Sequence, residues 1–304
     1  MKLAIYLAAV PKNKNELKLQ VLRNFGDGAR LSGDSVEFVN DYRIVNADVA
    51  VMQGFVHQDI SSPHLQLRRQ ILDSHKNTIV IDSNLFQFAN SSLANYYLRY
   101  SLNGIFPNTG FYFDNLIDQS RWLTISNRLN TFLKHYRENG SHILICTQRV
   151  DGWSMCGQNV QAWLDSTVYK LRKVTQRPII IRRHPGDRRQ SNLKLPKGTF
   201  FSESPLLTQD LQNAWATITY NSSPGVASLM YGVPVFVTDP TPERSQTWPI
   251  CNRDIANIEN PILFDRTDWI HRLCQSHWND DEIRSGESWK FLRERLILKE
   301  PSLC

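Results

Sequence analysis

The fold of this chain is decided by two stretches: residues 179–189 read IIIRRHPGDRR, and residues 217–234 read TITYNSSPGVASLMYGVP. In each stretch a short run of β-branched residues ends abruptly in polar residues, glycine or proline. Such apolar runs are typical of parallel strands that are buried on both faces of a sheet. We therefore expect the residues after each run at the carboxyl edge of the sheet, where open α/β folds bind ligands.

The second stretch also contains the signals of a helix start. Ser222 or Ser223 can cap the helix, and Pro224 suits its first turn. Gly225 leaves room for a ligand to approach the backbone. Unpaired N–H groups and the helix dipole make such a start suitable for a phosphate.

The first stretch supplies positive charge around a histidine. Arg182, Arg183, Arg188 and Arg189 surround His184. A histidine at one strand end and a serine-capped helix at the next predict a phosphate site for a nucleotide. Taken singly, a structural histidine and an ordinary capped helix are equally good explanations. Their occurrence together, in this order, favours the phosphate site.

The composition is that of a globular protein with two domains. The chain has 304 residues, of which 41% are hydrophobic, and this is enough for two cores. The formal net charge of +6 fits an anionic ligand, an acidic polymer or a nucleic acid. No run approaches the ~20 apolar residues of a membrane span. A first buried strand explains the apolar residues 3–10 better than a signal peptide does.

The cysteines and histidines indicate a cytoplasmic protein without a metal site. The five cysteines are scattered and have no CxxC spacing, which is typical of a reducing compartment. The eight histidines have no metal-ligand spacing. We therefore predict neither a disulfide framework nor a bound metal.

Alternating strand and helix patterns predict two α/β domains, each with a parallel sheet. The alternation over residues 1–82 includes a helix over 16–25 that ends in a Gly-Asp-Gly turn. It restarts near residue 140. We therefore expect an N-terminal domain of residues 1–140 and a C-terminal domain of residues 141–304 that closes with helices.

Residues 86–113 interrupt this alternation. They are rich in aromatic residues, Asn, Ser and Gly and follow no period. A long irregular segment in a compact domain is often functional, and aromatic rings interleaved with Arg and Asn stack on sugars or bases. An irregular loop packed by its own aromatic rings is an equally good explanation. On the functional interpretation, the candidate acceptor-binding residues are Tyr97, Arg99, Asn103 and Phe111.

Several motifs of other nucleotide enzymes are missing. The first strand is not followed by GxGxxG, and the chain contains no GxxxxGK[ST], GxSxG or DxD sequence. These absences argue against a dehydrogenase, a P-loop kinase and an α/β-hydrolase. Charge on a leaving nucleotide would then be balanced by arginine, histidine and helix N-termini, without a required metal.

The two stretches resemble a known group of enzymes. Arg183-His184-Pro185 followed by residues 221–225, NSSPG, resembles the HP and SS motifs of capsule-polysaccharide and sialyltransferase-like GT-B glycosyltransferases. Residues 148–154, QRVDGWS, are similar to their Q-x-x-x-D-x-S segment, with the Asp one position earlier. The resemblance covers residues 143–237. It implies two Rossmann-like domains that face a cleft and a UDP- or CMP-linked sugar as the donor substrate.

The resemblance also implies roles for individual residues. His184, Ser222 and Ser223 would hold the donor phosphate, and the loop from Gln148 to Ser154 would lie in the cleft. Glu243 is a candidate because of its position and not because of the resemblance. It follows the last strand of the donor domain, where a carboxylate can accept hydrogen bonds from ribose hydroxyls. A solvated surface glutamate explains it as well.

An inverting sugar transfer needs a general base near the acceptor hydroxyl. Asp151 is the first candidate because it follows a strand directly and precedes Gly152. Asp82, at a strand end of the N-terminal domain, is the second candidate, and His57 is the third. Each also has a structural explanation, namely an Asp-Gly turn, a loop cap and a structural histidine.

For the acceptor, the sequence favours a 5-hydroxymethylpyrimidine in DNA, because of the net charge of +6, the aromatic segment of residues 86–113 and a resemblance to phage enzymes, with a glycan or glycolipid as the alternative. Residues 97–104, YLRYSLNG, resemble small glycosyltransferases of tailed phages, which favours a 5-hydroxymethylpyrimidine in DNA that stacks on aromatic rings. The better-matched HP and SS motifs favour a surface polysaccharide or a glycolipid, with residues 289–293, WKFLR, as a membrane-facing segment. Two other classes stay open: a catalytically silent nucleotide- or polyanion-binding module, and a sugar-nucleotide epimerase.

Overall fold

The computed structural model divides the chain into two compact units. The first unit comprises Met1–Ile105, Thr109–Ile125 and His271–Cys304, and the second comprises Phe106–Asn108 and Ser126–Ile270. The structure describes residues 1–11, 16–56, 61–86, 96–107, 109–110, 118–150, 152–187 and 193–299.

Strands and helices alternate along most of the chain. The strands are β1 (Lys2–Tyr6), β2 (Ser35–Val39), β3 (Val49–Gln53), β4 (Thr78–Asp82), β5 (Leu98–Leu102), β6 (His142–Cys146), β7 (Ile179–Arg182), β8 (Thr199–Phe201), β9 (Ala214–Thr219), β10 (Val235–Val237) and β11 (His277–Trp278). The helices are α1 (Glu16–Leu31), α2 (Pro63–Ser74), α3 (Gln119–Leu129), α4 (Val160–Leu171), α5 (Leu207–Leu211), α6 (Pro224–Met230), α7 (Thr267–Gln275), α8 (Asp280–Arg284) and α9 (Glu287–Lys299).

The sheet of the first unit has the strand order β11-β5-β4-β3-β1-β2. The strands from β4 to β2 run parallel, whereas β5 and β11 add an antiparallel edge. Strand β3 reads VAVMQ and is buried at every position, as expected for a parallel strand covered on both faces. Leu22 and Phe25 of α1 pack in the same core as this sheet.

The sheet of the second unit has the order β10-β9-β6-β7-β8, and all neighbouring strands are parallel. The two stretches that decided the fold supply β7 and β9, which lie on either side of β6. Ile143, Ile181 and Ile218 from these three strands share one core with Val168 and Leu171 of α4. The predicted α/β class with two parallel-sheet units is confirmed.

The C-terminal segment completes the first unit and not the second. β11 pairs with β5, and Trp289 and Leu292 of α9 are buried in the same core as β1. Trp289 Nε1 donates to the Asp34 carboxylate at 2.7 Å. The sequence placed residues 141–304 in one domain because helical periodicity does not reveal which sheet a helix covers. With Trp289 buried, residues 289–293 do not form the membrane-facing segment that the sequence suggested.

No helix in the part of the chain that the structure describes is both long and apolar enough to cross a membrane.

The boundary between the units lies inside α3, between Ile125 and Ser126, and not near residue 140. After α3 the chain packs on the second unit as an irregular segment. Lys134 N donates to Met230 O at 2.9 Å, and a second backbone bond joins Arg137 N to the carbonyl of Gly232 at 3.1 Å. Hydrophobic periodicity predicts one helix over residues 118–136, but α3 ends at Leu129, so the pattern did not reveal the change of partner after it.

Gly26 and Gly28, where the sequence predicted a turn, lie inside α1. A Cβ atom at Gly28 would lie 2.1 Å from the carbonyl oxygen of Ile283, at the end of α8. A Cβ at Gly26 would lie 2.7 Å from the ring of Phe38 in β2. The glycines therefore permit close packing of α1, and this packing outweighs their low helix propensity.

Gly28→Ala is expected to lower the free energy of unfolding by about 1–3 kcal/mol, because the added methyl group overpacks the contact with α8. Chemical denaturation measures this change. Leu31→Ala is the control: Leu31 ends the same helix with 71% of its surface exposed, and the change there is expected to stay within about 0.5 kcal/mol. A Gly28→Ala protein as stable as the wild type would contradict the close approach.

Candidate functional site

Four polar segments meet at one edge of the second sheet. They are residues 147–150, 183–187, 220–223 and 238–241, and they follow β6, β7, β9 and β10. These strands are neighbours in the order β10-β9-β6-β7 and run parallel, so their carboxyl ends share an edge. The sequence analysis anticipated the first three segments and missed the fourth, which carries Asp239.

Asp239 is a fully buried carboxylate with three donors around it. Its Oδ2 accepts from Asn221 Nδ2 at 2.6 Å, and its Oδ1 accepts from Thr241 N at 2.9 Å. Arg244 Nη1 lies 3.9 Å from Oδ1. A buried charge is strongly unfavourable unless it is paired and hydrogen-bonded. These bonds therefore fix the segment after β10 in one position.

Asn221 extends this constraint to the segment after β6. Its Nδ2 also donates to Ser154 O at 3.0 Å, and its Oδ1 accepts from Gln148 Nε2 at 2.5 Å. Because the carboxylate of Asp239 accepts only, the amide of Asn221 has one orientation. We call Asp239, Asn221 and Gln148 the Asp239 network; it ties together the ends of β10, β9 and β6.

His184 is held in one tautomer. Gly186 N donates to His184 Nδ1 at 3.0 Å, so the neutral ring carries its proton on Nε2. Burial, then the positive charge of Arg149, lowers the pKa of His184, and Asp187 opposes part of this effect. The ring is therefore neutral at pH 7 and carries its N–H at Nε2.

The segments after β6 and β7 are tied to each other. Asp187 Oδ2 accepts from Val150 N at 2.9 Å. A Cβ atom at Gly186 would lie 2.8 Å from Arg149 Nη2, so the exposed Arg149 guanidinium lies against the segment that carries His184. The sequence analysis placed the loop that contains Arg149 in the cleft but gave this residue no role, although a cation three residues after β6 was the available signal.

The two arginines at the end of the β7 stretch are engaged by the protein. Arg182 Nη1 donates to Asp210 Oδ2 at 2.5 Å. The guanidinium of Arg183 lies 3.5 Å from the ring centroid of Phe201. These side chains join β7 to neighbouring elements, whereas the sequence analysis assigned their charge to a ligand. Arg149 has the position predicted for them.

The start of α6 differs from the predicted cap. Ser223 is the N-cap residue, but its side chain makes no capping bond. Gly225 N and Val226 N donate to the carbonyls of Ser222 and Ser223, so these N–H groups are used within the turn of this seven-residue helix. Ser222 Oγ is buried and has no hydrogen-bond partner among the described residues. A bound group that reaches this hydroxyl would satisfy it.

The other residues that were predicted to bind the nucleotide sugar differ in what they do in the structure. Gly225 is required by packing, because a Cβ there would lie 2.9 Å from Thr247 Cγ2. Ser154 lies in a short 3₁₀ helix and contributes its backbone carbonyl to the Asp239 network. Glu243 is half-buried in the 3₁₀ helix that follows β10.

Three predicted acceptor-binding residues have structural roles. Tyr97 is fully buried, and Arg99 is 3% exposed within β5. Asn103 has φ +62° and accepts from Thr78 N at 2.7 Å, which fixes the turn after β5. Tyr97 and Arg99 are therefore enclosed in the first unit and present no surface for stacking, whereas Asn103 is exposed at the turn. The fourth, Phe111, lies outside the described residues.

Of the three candidate bases, Asp82 alone lies in the described part of the chain. It ends β4, and its Oδ2 accepts from Arg99 Nη2 at 2.8 Å. Asp151 and His57 lie outside the described residues. Val150, the residue before Asp151, donates its backbone N–H to Asp187 and is thereby held at the edge of the second sheet.

Two solved transferase structures are similar to this chain. The β-Kdo 2,4 transferase of Thermosulfurimonas dismutans KpsC is 12% identical, with 90% of each chain covered and a TM-score of 0.55. The β-Kdo 2,7 transferase of the same protein is 12% identical over 95% of this chain and 100% of that one, with a TM-score of 0.52. The chain has a GT-B fold. No family model and no curated protein matches it in sequence.

Asp239→Asn is expected to destabilise the protein by about 1–3 kcal/mol, although the two side chains have the same shape. Both carboxylate oxygens of Asp239 face donors, so an amide NH₂ group would have to face one of them. Urea denaturation measures the loss.

Asp265→Asn is the matched control for this change. Asp265 is exposed and uses one oxygen for Thr267, which an asparagine oxygen can replace. We expect a change within about 0.5 kcal/mol there. Equal stability of Asp239→Asn and the wild type would mean that the Asp239 network does not hold the site.

Proposed function

We propose that this protein is a glycosyltransferase that binds the phosphate of a nucleotide sugar at the carboxyl edge of its second sheet. The observation that carries the proposal is the fixed Nε2–H donor of His184 with Arg149 beside it. Phosphate oxygens are strong acceptors for such donors. The buried hydroxyl of Ser222 is a further donor at the same edge. The GT-B fold is compatible with this use.

In the proposed reaction the bond between the anomeric carbon and the phosphate oxygen breaks, and the phosphate leaves with the electron pair. His184 and Arg149 stabilise the negative charge that develops on this oxygen. The acceptor hydroxyl forms the new bond and gives its proton to a general base. Because the hydrogen bond from Gly186 N orients the ring of His184 in advance, this donor needs no reorganisation as charge develops.

Asp151 remains our first candidate for the base. Both of its neighbours in sequence are held by hydrogen bonds, Val150 N to Asp187 and Gly152 N to Arg149 O. Asp82 is the second candidate, although one of its oxygens already accepts from Arg99. If the protein binds nucleotide sugars but transfers nothing to any acceptor, the silent binding module replaces the enzyme as the better proposal.

We propose a glycan or glycolipid hydroxyl as the acceptor. Phe86, Tyr97 and Tyr100, from the aromatic segment that favoured DNA, are each fully buried, so their rings are unsuited to stack on a base. The similar structures are named as Kdo transferases. The support that remains for DNA is the net charge of +6 and the resemblance of residues 97–104 to phage enzymes. Sugar transfer to a 5-hydroxymethylpyrimidine duplex, but to no glycan or lipid, would reverse this choice.

His184→Ala is expected to weaken binding of the donor roughly 10- to 150-fold, the equivalent of about 1.5–3 kcal/mol for a hydrogen bond to a charged group. Calorimetric titration with CMP- and UDP-sugars measures the affinity. His135→Ala, at an exposed histidine of the same unit, is the control and should bind the donor as the wild type does. Unchanged donor affinity in folded His184→Ala protein would refute the assignment.

Chelation is expected to leave the transfer rate unchanged, because His184 and Arg149 balance the charge of the leaving phosphate. Among the described residues there is no group of three or more His, Cys, Asp or Glu side chains that could hold a metal ion. The measurement is the initial rate with and without EDTA. Loss of activity that Mg²⁺ or Mn²⁺ restores would contradict this account.

A further inference from the structure

Three basic residues converge at the carboxyl edge of the first sheet. α1 follows β1 and α2 follows β3, and these strands are parallel neighbours of the sheet, with β1 paired to β3. The first turns of both helices therefore lie at that edge. Lys18 is in the first turn of α1, and His64 is in the first turn of α2. Arg68 follows His64 by four residues and thus lies on the same helix face.

Arg68 is built into this edge by the backbone. It is 4% exposed, its Nε donates to Ala9 O at 2.9 Å, and its Nη1 donates to Phe55 O at 3.0 Å. A Cβ atom at Gly54, which has φ +101°, would lie 2.6 Å from the guanidinium carbon. Burial lowers the pKa of Arg68 to about 10, so the buried guanidinium is still charged at pH 7.

Lys18 and His64 lie within electrostatic reach of Arg68. Burial, then the charge of Arg68, lowers the pKa of Lys18. Burial, then the charges of Arg68 and Lys18, lowers the pKa of His64. Both side chains are half-buried. Like charges held together at a partly buried site are unfavourable without a counter-ion, and such clusters mark functional sites.

Two carboxylates lie near this edge, and each forms its ion pair with another arginine. The charge of Asp82 opposes the lowering by burial of the pKa of Lys18 and of Arg68, but Asp82 is paired with Arg99 at 2.8 Å. Glu16 of α1 pairs with Arg23 at 3.0 Å. Among the described residues, neither Lys18 nor Arg68 takes part in an ion pair of its own. The edge therefore carries an excess of positive charge that a ligand can neutralise.

Two buried amide groups at the same edge have unsatisfied atoms. Gln53 ends β3 and is 6% exposed, and Asn84 follows β4 by two residues and is 4% exposed. Gln53 Oε1 and Asn84 Nδ2 have no hydrogen-bond partner among the described residues. One atom accepts and the other donates, which matches the hydroxyl groups of a sugar.

We propose that Lys18, His64 and Arg68 bind an anionic group of the acceptor sugar, a carboxylate or a phosphate. The hydroxyls of the same sugar would reach Gln53 and Asn84. This inference rests on the proposed function, because it assigns the acceptor of that transfer. It narrows the acceptor from any glycan to one whose terminal sugar is acidic or phosphorylated.

The test compares three probes that share one sugar ring: methyl glucuronide, glucose 6-phosphate and neutral methyl glucoside. Saturation-transfer difference NMR measures their affinities for the full chain. The variants are Lys18→Met and Arg68→Lys, and the control is Lys76→Met, at an exposed lysine before β4 of the same unit. Since Arg68 is buried, Lys18→Met is the variant expected to fold without difficulty.

We expect at least one anionic probe to bind about tenfold more tightly than methyl glucoside, and Lys18→Met but not Lys76→Met to remove most of this preference. The probe that is preferred identifies a carboxylate or a phosphate as the ligand group. Equal affinity for all three probes, or a preference that both Lys18→Met and Arg68→Lys leave unchanged, would overturn the proposal.

Titration of the same samples with CMP- and UDP-sugars separates this inference from the proposed function. Lys18→Met is expected to leave donor affinity unchanged, because Lys18 and His184 belong to different units. A preference for anionic sugars without any binding of nucleotide sugars would refute the glycosyltransferase and keep the anion site. Binding of nucleotide sugars without a preference for anionic sugars would overturn the anion site and keep the proposed glycosyltransferase.

Discussion

The geometry of the candidate site depends on the burial of one carboxylate. Asp239 is fully removed from solvent, and a buried charge left without a partner costs several kcal/mol. Its two oxygens are therefore committed to Asn221 and to the backbone at Thr241. Asn221 is then forced to turn its own oxygen to Gln148. One desolvated charge thus sets the relative positions of three strand ends. Arg149 lies on one of these segments, after β6, and His184 lies on the neighbouring segment after β7.

The first unit uses a buried charge of opposite sign in a similar place. Arg68 is bound to carbonyls that follow β1 and β3, as Asp239 is bound to groups that follow β9 and β10. In both cases the buried group holds loops at the carboxyl edge of a parallel sheet, where ligands bind. In our proposals, the N–H donors at the edge of the second sheet bind a phosphate, and the cations at the edge of the first sheet bind an acidic sugar.

Much of the fold could be predicted, because buried parallel strands are short apolar runs with abrupt ends. The strands on both sides of β6 were found in this way. The two glycines of α1 were misread as a turn, because the reason for them is tertiary packing: Gly26 lies against Phe38, and Gly28 lies against Ile283, far away in sequence. The packing of Trp289 on the first unit was missed for the same reason.

The same contrast holds for the candidate site. His184 and Ser222 were predicted from their positions after strands, and the structure places both at the carboxyl edge of the second sheet. The charge of Arg182 and Arg183 was predicted to serve a ligand, whereas in the structure their side chains pack on other elements. Asp239 was not predicted, although it lies two residues after a strand.

Hydrogen–deuterium exchange with and without a panel of nucleotide sugars tests the central claim most directly, since it locates the bound nucleotide without requiring the acceptor. The account predicts that at least one CMP- or UDP-sugar slows exchange in residues 147–150, 183–187 and 220–223. Slower exchange confined to the first unit, or no change with any nucleotide sugar, would contradict it.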